Sequence, residues 1–335
     1  KKIAELSPDR VYLDAQCALR TALYHKLEIP VVLVETMPLS LYDPWVPPFT
    51  SGLIPKQTGI SRLGIRLAWE KIVIARKIRN LFFSMLLCRQ DYFSLYKRLF
   101  LECGFPFEEK IDWRRPFIIG IKESKILSMN PSSLDFPRKY PPNCQYAPSR
   151  VDLNREDPML NRRYARVMEE VCLQKQQRPD TKIIYCFSST VMGFEKRSKI
   201  IFMKIRDICL RNPQFVFILS VGKYHNTSYL LPCPSNLYVF QQVPQLHLLS
   251  YCDLMITSGG MNSIAECIEK EVPMLVCPLS LKSDQLGNSA RVVYHGLGLR
   301  ARIKLDSSRT IEKRIVQLFE NYACLLYTSD AADDL

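Results

Sequence analysis

Several polar residues on one segment of the chain have types and spacings that suit a phosphate and a sugar. Gly259 and Gly260 follow an apolar run and precede a predicted helix, so the backbone there could approach a ligand closely. The first N–H groups of that helix and the positive end of its dipole would favour a phosphate. Asn262, Ser263 and Glu266 share the face that looks back toward the turn. A carboxylate beside a phosphate accepts hydrogen bonds from neutral groups such as ribose hydroxyls, which indicates a nucleotide. A glycine pair that merely starts a helix is the alternative.

Alternating strands and helices must position these residues. Apolar runs predict six elements before the turn and around it: strands Lys182 to Phe187, Phe215 to Ser220, Leu237 to Phe240, Leu254 to Thr257 and Met274 to Val276, and a helix Glu195 to Arg211. Further helices are predicted from about Pro158 to Gln174, after Pro244, from Asn262, from Asp284 to near Gly296, and from Ser307 or Ser308 to about Tyr322. This alternation predicts an α/β fold with a doubly wound parallel sheet.

Four blocks of the segment resemble the nucleotide-sugar signature of the GT-B glycosyltransferases that use UDP-sugars. They are PQ-x-x-L-L from Pro244, T-S-G-G-M-N-S-x-x-E from Thr257, V-P-M-L from Val272 and P-x-x-x-x-x-D-Q-x-x-N-x-x-R from Pro278. This superfamily includes macrolide glycosyltransferases, plant natural-product glucosyltransferases and UDP-glucuronosyltransferases. The resemblance implies two Rossmann-like domains facing across a cleft, and inverting, metal-independent sugar transfer to an acceptor hydroxyl. It implies a UDP-sugar as co-substrate and no other cofactor.

The resemblance also implies a role for each polar residue of the signature. Gln245 would hold the uracil or ribose, Asn262 and Ser263 the diphosphate, Glu266 the ribose hydroxyls, and Asp284 and Gln285 the sugar hydroxyls, while Ser258, Gly259 and Gly260 would stabilise the departing UDP. Ser189, after an earlier strand, would approach the donor phosphates. Three positions differ from the family pattern, which usually has histidine at Ser258, an aromatic residue at Gln242 and glycine at Ser188. These differences keep open a nucleotide-sugar-binding protein without transferase activity, and an epimerase on the same fold is a third hypothesis.

The beginning of the chain predicts a β-α-β unit with two candidate polar residues. Strand Arg10 to Leu13, helix Ala15 to Leu27 and strand Val31 to Val34 place Asp14 and Thr36 at the carboxyl ends of strands, where open α/β sheets bind ligands. By resemblance Asp14 would orient a catalytic histidine and Thr36 would touch the donor sugar. Asp14 would equally serve as a helix N-cap. None of the four histidines follows a first strand in this way, so we expect the catalytic base upstream of residue 1.

Prolines and composition shifts predict the domain organisation. We expect a partial acceptor-binding domain at 1–130, a proline-rich linker at 131–157, a nucleotide-sugar-binding domain at 158–323 and a non-native tail at 324–335. The missing histidine indicates a chain truncated at its amino end, and the lack of a further carboxyl-terminal helix suggests truncation there as well.

A long helix with apolar and basic residues is predicted from Ser61 to about Phe100. We expect its basic residues to form a solvated outer face, because long basic stems cover apolar surface. The helix would also suit weak contact with a membrane surface. The family resemblance implies that this region lines the acceptor pocket.

Composition excludes several other classes of protein. The net charge is +13, yet the basic residues are dispersed and no nucleic-acid-binding motif is present, so we expect no nucleic acid partner. The 12 cysteines lack any C-x-x-C pair, which argues against a metal site and favours free thiols in a reducing, cytoplasmic location. No apolar run reaches the length of a membrane span. The family resemblance implies a UDP-sugar donor and a small lipophilic acceptor as partners.

Overall fold

The computed structural model describes residues 5–6, 8–116, 120–139, 141–147, 151–153, 155, 161–187, 193–223 and 226–330, with residues 322–330 described by their backbone alone. The chain divides into two compact units, Lys1–Ser149 and Arg150–Leu335. This boundary falls within the linker that the sequence predicts at 131–157.

The first unit contains a four-stranded parallel sheet in the order β1-β2-β3-β4. Its strands are β1 (Val11–Asp14), β2 (Val31–Glu35), β3 (Lys125–Ser128) and β4 (Cys144–Tyr146). Its helices are α1 (Thr21–Lys26), α2 (Gly59–Leu86), α3 (Tyr92–Glu102) and α4 (Phe107–Lys110), with 3-10 helices at Ala15–Arg20 and Ser132–Leu134. Strand β4 lies inside the predicted linker, because its three residues complete the edge of the sheet beside β3.

The single helix predicted from Ser61 to Phe100 is two helices, α2 and α3. The first ends at Leu86, and Cys88 and Arg89 then adopt positive φ angles of 46° and 62°, a left-handed conformation that stops a helix. Asp91 caps α3 by accepting hydrogen bonds from the backbone N–H groups of Phe93 and Ser94. The sequence hides this break, because neither glycine nor proline occurs between the two helices.

The second unit contains a six-stranded sheet in the order β10-β9-β8-β5-β6-β7, with every pair parallel. Its strands are β5 (Lys182–Phe187), β6 (Phe215–Ser220), β7 (Leu237–Phe240), β8 (Leu254–Thr257), β9 (Met274–Val276) and β10 (Gly298–Arg300). Its helices are α5 (Arg162–Gln177), α6 (Glu195–Arg211), α7 (Gln245–Leu249), α8 (Met261–Glu269), α9 (Gln285–Tyr294) and α10 (Ser308–Asp330), with a 3-10 helix at Ser228–Leu230.

Two features of this unit differ from the sequence expectation. Strand β10 is absent from the predicted elements, since its three residues carry no periodic signal. Helix α10 continues to Asp330, so it does not end near Tyr322. The central strands β6, β8 and β9 are buried along their whole length, because helices cover both faces of a doubly wound sheet.

Candidate functional site

The turn Ser258-Gly259-Gly260 lies where the order of the second sheet reverses. From β5 the chain adds β6 and β7 on one side of the sheet, and it then adds β8, β9 and β10 on the other side. The turn follows β8, which pairs with β5 at the point where the direction changes. Doubly wound sheets bind ligands in the crevice outside the carboxyl ends of strands at such a switch point. The predicted phosphate turn therefore occupies the position at which this architecture binds nucleotides.

The two glycines of the turn have different structural roles. Gly259 has a φ of 88°, and a Cβ there would lie 2.8 Å from Cγ1 of Val276 and 3.3 Å from the carbonyl oxygen of Gln285. Gly260 has a φ of −68°, and a Cβ there would meet no atom within 4 Å. Packing thus requires glycine at 259, whereas at 260 the missing side chain leaves backbone open to an incoming group.

The start of helix α8 offers unpaired N–H groups at this point. Gly260 is the N-cap residue, and none of the described side chains caps the helix. The first backbone donors and the positive end of the helix dipole are therefore available to an anion. Asn262 is exposed on the first turn and Ser263 is buried beside it. Ser258, at the other side of the turn, is also buried.

A hydrogen-bond network holds the carboxylate of Glu266, whose side chain is buried. Gln245 donates from Nε2 to Oε2 of Glu266 over 2.7 Å and lies 3.3 Å from Oγ of Ser263. The hydroxyl of Tyr185 donates to Oε1 of Gln245 over 3.1 Å. Burial raises the pKa of Tyr185 well above its usual value, so the phenol stays protonated and remains a donor. Tyr185 thereby orients the amide of Gln245 so that its NH2 group faces Glu266.

Arg155 is the cationic partner of this carboxylate. Its Nη1 lies 2.8 Å from Oε1 of Glu266, and its side chain is 41% exposed whereas that of Glu266 is 5% exposed. A carboxylate can accept about four hydrogen bonds, and Arg155 and Gln245 supply one to each oxygen of Glu266. The network therefore fixes the position of the Glu266 side chain.

Asp284, Gln285 and Asn288 join the next helix to the glycine turn. Oε1 of Gln285 accepts hydrogen bonds of 2.8 Å from the backbone N–H groups of Leu279 and Ser280, while its NH2 group bonds to none of the described residues. Asn288 is fully buried and donates from Nδ2 to the carbonyl of Gly259 over 2.8 Å and to Asp284 over 2.9 Å. Burial raises the pKa of Asp284, against the effect of the Asn288 bond.

Three residues of this site have no role predicted from the sequence: Arg155, Tyr185 and Asn288. Arg155 lies in the proline-rich linker, and Tyr185 lies within an apolar strand, so neither carries a local signal. Asn288 does carry one, because it follows Asp284 by four residues and so shares a helix face with it.

In the first unit, Asp14 and Thr36 lie at the same edge of the sheet. Asp14 pairs with Val34 in the register of β1 and β2, and Thr36 follows β2 as an exposed residue. Oδ1 of Asp14 accepts a hydrogen bond from the backbone N–H of Gln16 over 2.7 Å, so Asp14 is the N-cap of the 3-10 helix that follows β1. The buried carboxylate at this edge is instead Glu35.

Glu35 contacts both a hydroxyl donor and a cation. Ser40 donates to it from its hydroxyl over 2.7 Å and from its backbone N–H over 2.8 Å, and Nη1 of Arg115 lies 3.6 Å away. Burial raises the pKa of Glu35, and the Arg115 guanidinium opposes that effect. Because Ser40 and Arg115 engage it, Glu35 stabilises the loop after β2.

The remaining candidates have the following positions. Ser189 lies outside the described residues, and Gln242 is exposed. Nδ1 of His247 is 2.9 Å from the hydroxyl of Tyr164, and His25 packs edge-on against Phe105, so both rings are engaged in packing.

In the described part of the chain, no three His, Cys, Asp or Glu side chains are grouped to hold a metal. Nor does any described helix have the length and apolarity of a membrane span.

The two units with parallel sheets have the GT-B fold, as the solved structures that they resemble show. The chain is similar over 99% of its length to CalG4, the calicheamicin glycosyltransferase, with a TM-score of 0.62, 13% identity and 71% of that chain covered. It is similar over 98% of its length to the glycotransferase of kitacinnamycin, with a TM-score of 0.58, 18% identity and 74% of that chain covered. These likenesses confirm the fold that the sequence predicts.

The similarity to a known family lies in the second unit. Residues 226–323 match the family described as UDP-glucoronosyl and UDP-glucosyl transferase. Over 98 residues the chain is 37% identical to the NDP-glycosyltransferase YjiC of Bacillus subtilis, a match of 29% of this chain and 24% of that protein. Over 203 residues it is 29% identical to a zeaxanthin glucosyltransferase of Pseudescherichia vulneris, a match of 57% of this chain and 42% of that protein. Within the second unit the chain is thus similar to the UDP-glycosyltransferase family, and the matches span less than half of either relative.

Proposed function

We propose that the protein transfers a sugar from a UDP-sugar to a hydroxyl of a small lipophilic acceptor, with inversion and without a metal ion. The observation that carries the proposal is the placement of Glu266. This buried carboxylate lies on the helix that begins at the open glycine turn, at the switch point of the sheet. The turn would bind the diphosphate and Glu266 the ribose of one nucleotide.

The residues of the turn are suited to the leaving group. Transfer of the sugar leaves negative charge on UDP, and preorganised donors at that point stabilise the transition state. The N–H groups of α8 and the hydroxyls of Ser258 and Ser263 supply such donors. Asp284 and Gln285 would contact the sugar hydroxyls, and Ser189 would approach the donor phosphates. Because these groups offset the charge, we expect turnover to be unchanged by EDTA.

The acceptor proton requires a base. In this proposal Asp14 would orient an imidazole, since Gln16 occupies only one of its two carboxylate oxygens. A zeaxanthin glucosyltransferase among the relatives is in keeping with a lipophilic acceptor.

Calorimetric titration with UDP tests the donor site. Glu266→Ala removes the acceptor of the ribose hydroxyls, and losing hydrogen bonds to a charged group costs about 1 to 3 kcal/mol. The dissociation constant for UDP should therefore rise about 5-fold to 150-fold. Glu269→Ala is the matched control, because Glu269 is an exposed residue on the same helix and the change in charge is equal. Equal affinity of wild type and Glu266→Ala would remove Glu266 from the site.

The second candidate is a nucleotide-sugar-binding protein without transferase activity. It is favoured by Ser258, which offers a hydroxyl where the family usually has an imidazole, and by Gln242, an exposed amide where the family usually has an aromatic ring. An assay of UDP release by the complete gene product, over a panel of phenolic and macrolide acceptors, separates the two functions. Donor binding without release for every acceptor would support the binding protein.

A further inference from the structure

Helix α2 packs on the first unit through one face only. Ile65, Trp69 and Arg76 are buried on that face, at 2%, 1% and 6% exposure. Nε1 of Trp69 donates to the carbonyl of Val46 over 2.9 Å, and the guanidinium of Arg76 donates to the carbonyl of Arg115. These contacts fix which side of the helix faces the protein.

The opposite face carries a row of exposed apolar side chains, which we call the α2 stripe. Its members are 55% to 87% exposed: Ile60, Leu63, Leu67, Ile74, Ile78, Leu81 and Met85. Their spacing of three, four or seven residues keeps them on one side of a helix with 3.6 residues per turn. From Ile60 to Met85 the stripe extends about 37 Å at 1.5 Å per residue. Most of the basic residues of this helix are exposed, as expected, and the apolar row is exposed as well, because the buried contacts of Trp69 and Arg76 turn it outward.

The charges around the stripe are almost entirely positive. Lys71, Arg66 and Lys77 border it as exposed residues. Glu70 is the single acidic residue in the helix sequence, and it lies 3.6 Å from the guanidinium of Arg114. The exposed surface therefore combines a continuous apolar row with unbalanced positive charge.

A groove beside the stripe adds further cations. It has a volume of about 830 Å³ between α2 and α3, and Leu81 belongs to both the groove and the stripe. Its described lining residues include four cations and one carboxylate: Lys77, Arg89, Lys97, Arg98 and Glu102. Lys97 forms an ion pair with Glu108, so Lys77, Arg89 and Arg98 supply the positive charge of the groove. Such a groove suits anionic headgroups that lie next to an apolar surface.

We propose that the α2 stripe and the adjoining cationic groove bind the surface of an anionic lipid membrane, with α2 lying in the plane of the interface. Helices with an apolar face and a lysine- and arginine-rich polar border bind such surfaces by burying apolar area and by electrostatic attraction. A soluble protein partner would need its own long apolar and acidic face, whereas a bilayer with anionic lipids supplies both properties at once. The inference is independent of the donor site.

Flotation of the full 335-residue chain with lipid vesicles tests the proposal. One set of vesicles is pure phosphatidylcholine, and the other contains about one third phosphatidylglycerol, enough to give a negative surface potential. The wild type should partition into the anionic vesicles and much less into the neutral ones, and added salt should weaken the partition. Lys71→Gln with Lys77→Gln should weaken it about fivefold per lysine, as expected for basic residues near a charged surface.

A second pair of variants tests whether the apolar residues of the α2 stripe bind the membrane, or whether any exposed apolar residue has the same effect. Ile74→Gln with Ile78→Gln should weaken partitioning about tenfold or more, because both side chains would enter the interface. Leu210→Gln with Leu305→Gln is the matched control, since these residues are 62% and 73% exposed on the second unit, and it should bind as wild type. All these positions are exposed, so the far-UV circular dichroism and the thermal midpoint should not change.

Three results would overturn the proposal. The first is equal partitioning of the wild type into neutral and anionic vesicles, or none into either. The second is wild-type partitioning of the Ile74→Gln, Ile78→Gln variant. The third is sedimentation velocity, without vesicles, that shows a wild-type dimer and a monomeric stripe variant, because the stripe would then bind a second copy of the chain.

Discussion

Substitution of the two adjacent glycines by alanine should affect different properties: the stability of the fold at Gly259 and the affinity for UDP at Gly260. At Gly259 the backbone is left-handed, with a φ of 88°, and the new Cβ would lie 2.8 Å from Val276. A left-handed conformation costs an L-residue about 1 to 2 kcal/mol, and overpacking of a buried site costs about 1 to 3 kcal/mol. We therefore expect Gly259→Ala to lower the free energy of unfolding by about 2 to 5 kcal/mol.

Gly260→Ala should leave stability unchanged or slightly higher. Its φ of −68° and ψ of 139° suit any residue, and the new methyl group would meet no protein atom within 4 Å. Restricting the unfolded chain at such a site gains about 0.4 to 1 kcal/mol. If a diphosphate approaches the backbone here, the methyl group will occupy part of its space. A clash of the size seen for overpacked sites, about 1 to 3 kcal/mol, would weaken UDP binding about 5-fold to 150-fold.

Urea unfolding and calorimetric titration with UDP measure the two effects separately. Gly59→Ala is the control for both, because a methyl group at Gly59 would likewise meet no atom within 4 Å and this residue lies in the first unit. Wild-type UDP affinity for Gly260→Ala would refute the reasoning that the diphosphate contacts this turn. Unchanged stability for Gly259→Ala would instead show that the turn does not have the packing described above.

Two further predictions concern buried polar residues of the second unit. Asn288→Ala should lower the free energy of unfolding by about 1 to 3 kcal/mol and also weaken UDP binding, because the carbonyl of Gly259 and the carboxylate of Asp284 lose their hydrogen-bond donor. Urea unfolding and calorimetric titration with UDP measure the two effects. Unchanged UDP affinity would show that Asn288 does not support the donor site. Asp306→Asn tests a linkage to pH. Burial alone would raise the pKa of Asp306, but hydrogen bonds from Arg314 and the backbone of Arg302 outweigh it and lower that pKa. The wild type should therefore exceed the variant in stability above about pH 4, the unfolded pKa of aspartate. That advantage should disappear as pH falls through the lower folded pKa, and an advantage independent of pH would contradict the assignment.

The elements of the second sheet could be predicted from the amino-acid sequence. The bounds predicted for β5, α6, β6, β7, β8 and β9 agree with the structure to the residue. These segments are apolar or amphipathic runs bounded by turn-forming residues, and each run reports its own burial. The polar positions of the signature likewise give the resemblance to the family without the structure, because their order along the chain matches the family pattern.

The contacts of those polar residues, and the direction in which α2 faces, depend on the tertiary structure. Arg155 reaches Glu266 across 111 residues of sequence, and Tyr185 orients Gln245 across 60. No local pattern encodes such pairs, because they depend on where separate elements meet. For the same reason the periodicity of α2 predicts an apolar face but not its direction. Trp69 and Arg76 anchor the other side of that helix, so the α2 stripe faces outward.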